Sequence, residues 1–370
     1  MNAPLLRPGL IRPGAGSGSS VSRRSLIKYF GAGAAALGAT PLLAGCGGDA
    51  EASASGDFGV AAFPGDAYFL DTANLAEKQY AKHGLNVPEH LTPQSGVQGL
   101  QLLVAGAIDG FAVDTLLLLA SHGNAAKGKR PMLVGVRNME TTYAIVGNKN
   151  VKWPDKNASF EEKMHALKGK KVGVTAIGAG SDLQLKLALE TAGMVYDDIT
   201  PLAVGSTTQM IPNMRNERVD AVVTVQWTST RLLAQATGGS ILLDFAEKSA
   251  PDIMRNQAVV CASVREDMLD KDPESVKAWL ATQNDARKWM LENPKDAAAL
   301  LNKTGLAGKG LPIAEEYMKH YAKVVDPALE PMLKAPKDII ERMIGLAERF
   351  GNIEKGKVTY ETLVPDFARA

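Results

Sequence analysis

Short apolar runs alternate with longer amphipathic ones along this chain, and the alternation comes in two similar series, which restricts the fold more than any other feature. In the first series, residues 58–63 read as a buried strand closed by Pro64-Gly65 and 66–84 as a helix closed by Gly84. The order then repeats as strand 85–91, helix 94–105, strand 109–113, helix 115–122 and strand 132–137. A charged, Pro-containing stretch at 148–163 leads into the second series. It runs strand 171–176, helix 181–192, strand 199–204, helix 208–216, strand 219–225, helix 228–236 and strand 240–243. Such an order predicts an α/β fold with mostly parallel sheets and helices on their faces, in two similar halves. One more strand, 257–264, precedes a helical remainder. There Val276, Trp279, Leu280 and Met290, then Ile339, Ile340, Met343, Ala347 and Phe350, recur at helical spacing and read as core stripes.

Two α/β lobes, with the chain crossing near 143–147 and returning near 257–263, make a two-strand hinge over a cleft. Ligands of open α/β sheets bind beyond the carboxyl ends of the strands, so the segments after each strand are the candidate site. In the second half, Gly178-Ala179-Gly180-Ser181 combines free backbone N–H groups at a helix start with a hydroxyl, which suits an anionic oxygen. Ser181 serves equally as a helix N-cap. Ser95-Gly96 is the first-half analogue, with the same two readings. Asp66 and Tyr68 follow the first strand, Asp114 ends the third, and Gln226-Trp227 follow 219–225, where Trp227 is either an apolar wall or core. The carboxylates Asp66, Asp114 and Asp182 would repel a sulfonate or nitrate and pair with an amine. Asp66 and Asp182 are equally explained as helix-start residues favoured by the dipole. Arg137 either supplies positive charge or sits in a surface or hinge salt bridge.

Forty-one basic residues stand against 40 acidic ones, which excludes a bulk electrostatic drive toward nucleic acid or an anionic membrane. The balance is uneven at the start: residues 1–45 hold Arg7, Arg12, Arg23, Arg24 and Lys28 and no acid, leaving 36 against 40 beyond them. Ser22-Arg23-Arg24-Ser25-Leu26-Ile27-Lys28 resembles a twin-arginine export signal, and Leu43-Ala44-Gly45-Cys46 resembles a lipobox. These resemblances imply a signal peptide over 1–45, a lipid anchor on Cys46 and a flexible tether over 46–57, with the lipid as the only attachment to the membrane. No later run reaches the ~18 uninterrupted apolar residues of a membrane span. Cys46 and Cys261 form no C-x-x-C, and His83, His90, His122, His165 and His320 show no ligand pairing, so neither metal nor cofactor is expected. Cys261 reads as a small buried hydrophobe. Residues 123–130 nearly spell a Walker A loop, but Arg130 stands where Ser or Thr would bind Mg²⁺ and Pro131 disfavours the helix that should follow.

Residues 167–174, Gly178-Ala179-Gly180-Ser181, 188–194 and 197–200 together resemble the second-lobe opening of nitrate/sulfonate/taurine-type ABC transporter substrate-binding proteins. Residues 99–109 and 216–223 are similar to that family's paired segments in the two lobes, and 272–276 with 292–297 to its C-terminal helices. The resemblance covers the chain from Phe58 to about Ala347. It implies a type II periplasmic-binding-protein fold, with lobe one at 58–145 and 260–370 and lobe two at 146–259. It also implies capture of a small polar solute by hinge closure, with delivery to an ABC permease and its ATPase. The family tends to place an aromatic or polar side chain at Gln226-Trp227 facing the cleft. A monomer outside the cytoplasmic membrane, exported by the twin-arginine translocase and without catalysis, is the expectation. Enzymes of the same fold, such as pyrimidine synthases, are the alternative, but their cysteine-rich iron motif is absent; a non-transport sensor or partner protein is the other.

Overall fold

The computed structural model describes residues 56–324, 333–350 and 353–370, so the readings at Arg23, Arg24 and Cys46 lie outside the described residues. Shorter elements aside, the first series runs β1 (Val60–Ala61), α1 (Phe69–Ala76), β2 (His90–Leu91), α2 (Gly96–Ala105), β3 (Gly110–Asp114), α3 (Thr115–Asn124) and β4 (Pro131–Glu140). The second runs β5 (Ala144–Gly147), β6 (Lys171–Val174), α4 (Gly180–Thr191), β7 (Thr200–Ala203), α5 (Thr207–Arg215), β8 (Ala221–Thr224), α6 (Trp227–Thr237) and β9 (Ser240–Asp244). After β10 (Asn256–Arg265) come α7 (Pro273–Glu292), α8 (Pro294–Gly305), α9 (Leu311–Val324) and α10 (Lys337–Phe350).

Two five-stranded sheets result, ordered β2-β1-β3-β10-β4 and β9-β5-β8-β6-β7. β1 pairs in parallel with β2 and β3, and β6 in parallel with β7 and β8. The antiparallel members, β10 in the first sheet and β5 in the second, are the strands that follow a passage between lobes. Two α/β lobes of the expected class are therefore present. The passages lie slightly earlier than the sequence suggests: β5 pairs inside the second sheet and β10 inside the first, which puts the crossings at 141–143 and 245–255. The Phe245 N–H donates to the Tyr143 carbonyl at 3.1 Å and ties the two passages together.

The single helix expected over 66–84 is broken. A 3-10 turn covers Asp66–Tyr68, α1 follows, and Lys78 adopts a left-handed φ of 56° before a short helix at Gln79–Lys82. Without a run of Gly or Pro, the sequence carries no local signal for that break. Elsewhere the caps behave as written. The Ser95 hydroxyl accepts from the Gln98 N–H at 3.3 Å at the start of α2, and Gly106, at φ 75°, ends it.

One apolar cluster runs through both lobes, joining Leu118 and Leu119 of α3, Leu187 and Ala188 of α4, Met343 and Ala347 of α10 and Phe245 and Met254 of the return passage. Each large side chain fully buried here stabilises the fold by ~1.5–3 kcal/mol. A second cluster packs Trp279 and Leu280 of α7 against Phe58 and Val60. A third gathers α1, α7, α8 and α9, with Trp227 from the second lobe among them. Among the described residues no helix is long and apolar enough to cross a membrane.

Candidate functional site

Between the lobes lies a cavity of about 420 Å³, walled by the segments that follow the strands of both sheets. From the first lobe come Phe63, Pro64 and Tyr68 after β1, Thr92 to Gly96 after β2, and Val113, Asp114 and Leu117 around the start of α3. The second lobe contributes Thr175, Ala179, Gly180 and Ser181 after β6, Ser206 to Gln209 and Ile211 after β7, and Val225, Gln226, Ser229 and Leu232 after β8. Tyr143, from the passage itself, and Gly305, at the end of α8, complete the wall. Of the residues expected here from sequence, Tyr68, Ser95, Gly96, Asp114, Gly180, Ser181 and Gln226 thus meet at one place.

Asp114 is the one acidic side chain on this wall, and no Lys, Arg or His reaches it among the described residues. Its carboxylate caps α3, accepting from the Leu117 N–H at 3.1 Å on Oδ1, and accepts from the Tyr143 hydroxyl at 3.0 Å on Oδ2. Burial pushes this carboxyl up to about 6 against the opposing pull of those bonds. Gly180 packs directly against the pair, since a Cβ there would lie 2.9 Å from the Asp114 side chain and closer still to the Tyr143 oxygen. Glycine is what lets the second lobe approach the first at this point. The Ser181 hydroxyl accepts from the Thr175 N–H at 3.0 Å and shares a 2.9 Å bond with the Thr175 hydroxyl, so it braces the turn between β6 and α4 while lining the cavity.

Gly178, Asp182, Asp66, Trp227 and Arg137 are not on this wall. Gly178 donates its N–H to Asp182 Oδ2 at 2.8 Å. Asp182, itself fully buried, also accepts from the Tyr196 hydroxyl and pairs with Lys186 at 3.0 Å, so it fastens the loop to α4 away from the cavity wall. Asp66 and Trp227 lie beside the cavity, in a much smaller void of about 40 Å³ shared with Arg137, Tyr317 and His320. Burial raises the Asp66 carboxyl above its usual range, against the hydrogen bonds it accepts from Thr228 and Trp227. Arg137 is in neither a surface nor a hinge bridge. It forms a two-pronged pair with Asp71 at 2.6 and 2.9 Å, with side chains only 2% and 0% exposed, inside the first lobe. Cys261 is buried, as expected, with its thiol directed at the Val113 carbonyl at 3.4 Å.

Thr92 to Gln94, Tyr143, Thr175 and Ser206 to Gln209 belong to the wall without having been singled out from sequence. The signal was available for most of them, because Thr92, Thr175 and Ser206 each follow a strand. At 206–209 the chain forms a capping box, in which the Gln209 side chain accepts from the Ser206 N–H at 2.8 Å.

The sequence profile of the NMT1-like family matches residues 66–304, well over half the chain. A Brucella abortus protein, named as a candidate binding protein, is 25% identical over 234 residues; the match spans 63% of this chain and just under two thirds of that relative. Among solved structures, the alkanesulfonate-binding protein SsuA of Xanthomonas axonopodis pv. citri, bound to MOPS, superposes with a TM-score of 0.66 at 15% identity, covering 85% of this chain and 99% of its own. The periplasmic aliphatic sulphonate binding protein SsuA of Escherichia coli gives a TM-score of 0.58 at 21% identity, covering 82% and 90%.

Proposed function

We propose that this chain, which belongs to the NMT1-like family, is the solute-binding component of an ABC importer. In this reading it works as a monomer outside the cytoplasmic membrane, exported by the twin-arginine translocase and held by a lipid on Cys46. It hands one small solute to the permease and its ATPase. The observation that carries the reading is the cavity of about 420 Å³ bounded by strand-end segments of both lobes, so that a single solute touches both at once. A ligand that contacts both lobes only when they are together has the differential affinity needed to drive closure.

The walls narrow the solute class. The volume falls within the ~300–1,000 Å³ of small-organic pockets, and Phe63, Pro64, Leu117, Ile211 and Val225 supply an apolar side. Nitrate would leave that side unfilled. An organosulfonate or a related small organic molecule, its apolar part against these residues and its polar end among the hydroxyls of Thr175, Ser181 and Ser206 to Thr208, fits better. An amine on the same molecule would face Asp114.

The test is the solute carried through native purification, identified by mass spectrometry, and a melting panel of sulfonates, nitrate, aminopyrimidines and aromatic acids. A true ligand at a hundred times its Kd adds ~2.7 kcal/mol of stability. A panel without any shift counts against the importer reading, and turnover of any member overturns it. Cys46→Ala should move the protein from the membrane to the soluble fraction; unchanged membrane retention removes the anchor from the reading.

A further inference from the structure

Helix α6 lacks a cap of its own. The side chain of its N-cap residue, Gln226, makes no capping bond and instead donates from Nε2 to the Pro64 carbonyl of the first lobe at 3.0 Å. The cap comes from that same lobe. Asp66 Oδ2 accepts from the Trp227 N–H at 3.0 Å, and Oδ1 accepts from the Thr228 N–H at 3.0 Å and from the Thr228 hydroxyl. The carboxylate therefore satisfies two of the N–H groups that a helix start leaves open, and it sits at the positive end of the helix dipole.

The side chain next to this cap crosses the same boundary. Trp227 is 8% exposed and packs in the first-lobe cluster with Phe69, Leu70, Ala286 and Met290. Its ring stacks on His320 of α9 with centroids 5.3 Å apart and an interplanar angle of 18°, and the Arg231 guanidinium lies 3.3 Å from its centroid. Neither Asp66 nor Trp227 lines the large cavity.

We propose that Asp66 and Trp227 form a lobe-to-lobe clasp that sets the open-to-closed ratio, and through it solute affinity, without touching the solute. They are positioning residues. Opening the cleft takes the carboxylate off α6 and the indole out of the first lobe, and apparent affinity scales with the fraction of molecules that are closed. Only the consequence for affinity rests on the solute-binding reading; the clasp itself is tested with no solute present.

The experiment uses the mature chain of residues 46–370, measured without solute by small-angle scattering and by acrylamide quenching of the Trp227 fluorescence, taken as the difference from Trp227→Phe in each background. Asp66→Ala loses every charge-assisted bond and should shift the open-to-closed ratio roughly a hundredfold, with a larger radius of gyration and stronger quenching. Asp66→Asn keeps one acceptor for Thr228 but turns an amide toward the Trp227 N–H, and should shift the ratio roughly tenfold. Circular dichroism checks that the helices remain. With an intact fold, an unchanged radius and unchanged quenching in Asp66→Ala overturn the proposal. Should Asp66→Ala fail to fold, Asp66→Asn and Thr228→Val decide: no shift in either overturns it. For any solute found by the panel, Asp66→Asn should weaken binding by the same factor for every ligand, because the cavity wall is untouched; a change in ligand ranking would place Asp66 at the solute instead.

Discussion

The two lobes meet on two flanks built from opposite materials. On one, α3, α4, α10 and the return passage share a single apolar cluster that continues into both sheets. On the other, contact depends on hydrogen bonds accepted by Asp66 and donated by Gln226 and on one inserted indole. Separating the apolar flank would expose hydrocarbon at ~25 cal/mol for each Å², whereas a polar contact exchanges for water at a net ~0.5–1.5 kcal/mol per bond. By these magnitudes the polar flank is the cheaper of the two to separate.

The contrast can be broken first at the apolar flank. Met343→Ala, in a fully buried position of α10, should cost ~2–5 kcal/mol in chemical denaturation and leave the open-to-closed ratio alone. A shift in that ratio at full stability would show that the apolar flank moves as well.

Between the flanks, Asp114 gives the next largest effect. Its folded pKa of about 6 lies above the ordinary 3.8 of an aspartate, so folding takes up a proton there. The group's contribution is therefore most favourable below about pH 4 and is lost as the pH rises through 6, by about 3 kcal/mol in all. Asp114→Asn should flatten the melting profile by that amount between pH 4 and 7, since Asn still accepts from Leu117 and the Tyr143 hydroxyl can turn to accept from the amide. A parallel profile in the variant would locate the titration elsewhere.

The smallest effect belongs to the rim of the apolar flank, where Arg349 of α10 pairs with Glu190 of α4 and the side chains are 52% and 42% exposed. Arg349→Ala should change stability by ~0–1 kcal/mol and leave the clasp readouts unmoved. A loss of several kcal/mol would mean that the flank depends on this ion pair more than on its apolar contacts.

How far the sequence reveals this molecule depends on how far away the partners lie. Strand and helix alternation is local, so both sheets and their strand-end segments could be read directly, and Ser95, Asp114, Gly180, Ser181 and Gln226 followed from the rule that ligands sit beyond strand ends. Asp66 shows the limit. It does serve a helix start, as its residue type favours, but the helix begins 161 residues later, in the other lobe. Arg137 fails in the same way: its partner Asp71 belongs to α1, and nothing in the spacing says that the pair is buried together. The break at Lys78 depends on backbone conformation alone.

Cys261 has a chemical consequence of its own. Burial pushes its thiol up to about 12, so at pH 7 on the order of one molecule in 10⁵ carries a thiolate there, and the thiolate is the form that attacks disulfides and alkylating reagents. Held in β10 against the Val113 carbonyl of β3, the sulfur is silent toward an oxidising environment for as long as the first lobe stays folded. Its alkylation therefore measures global unfolding, and a pair of cysteines placed on the two lobes as distance reporters would react without competition from it.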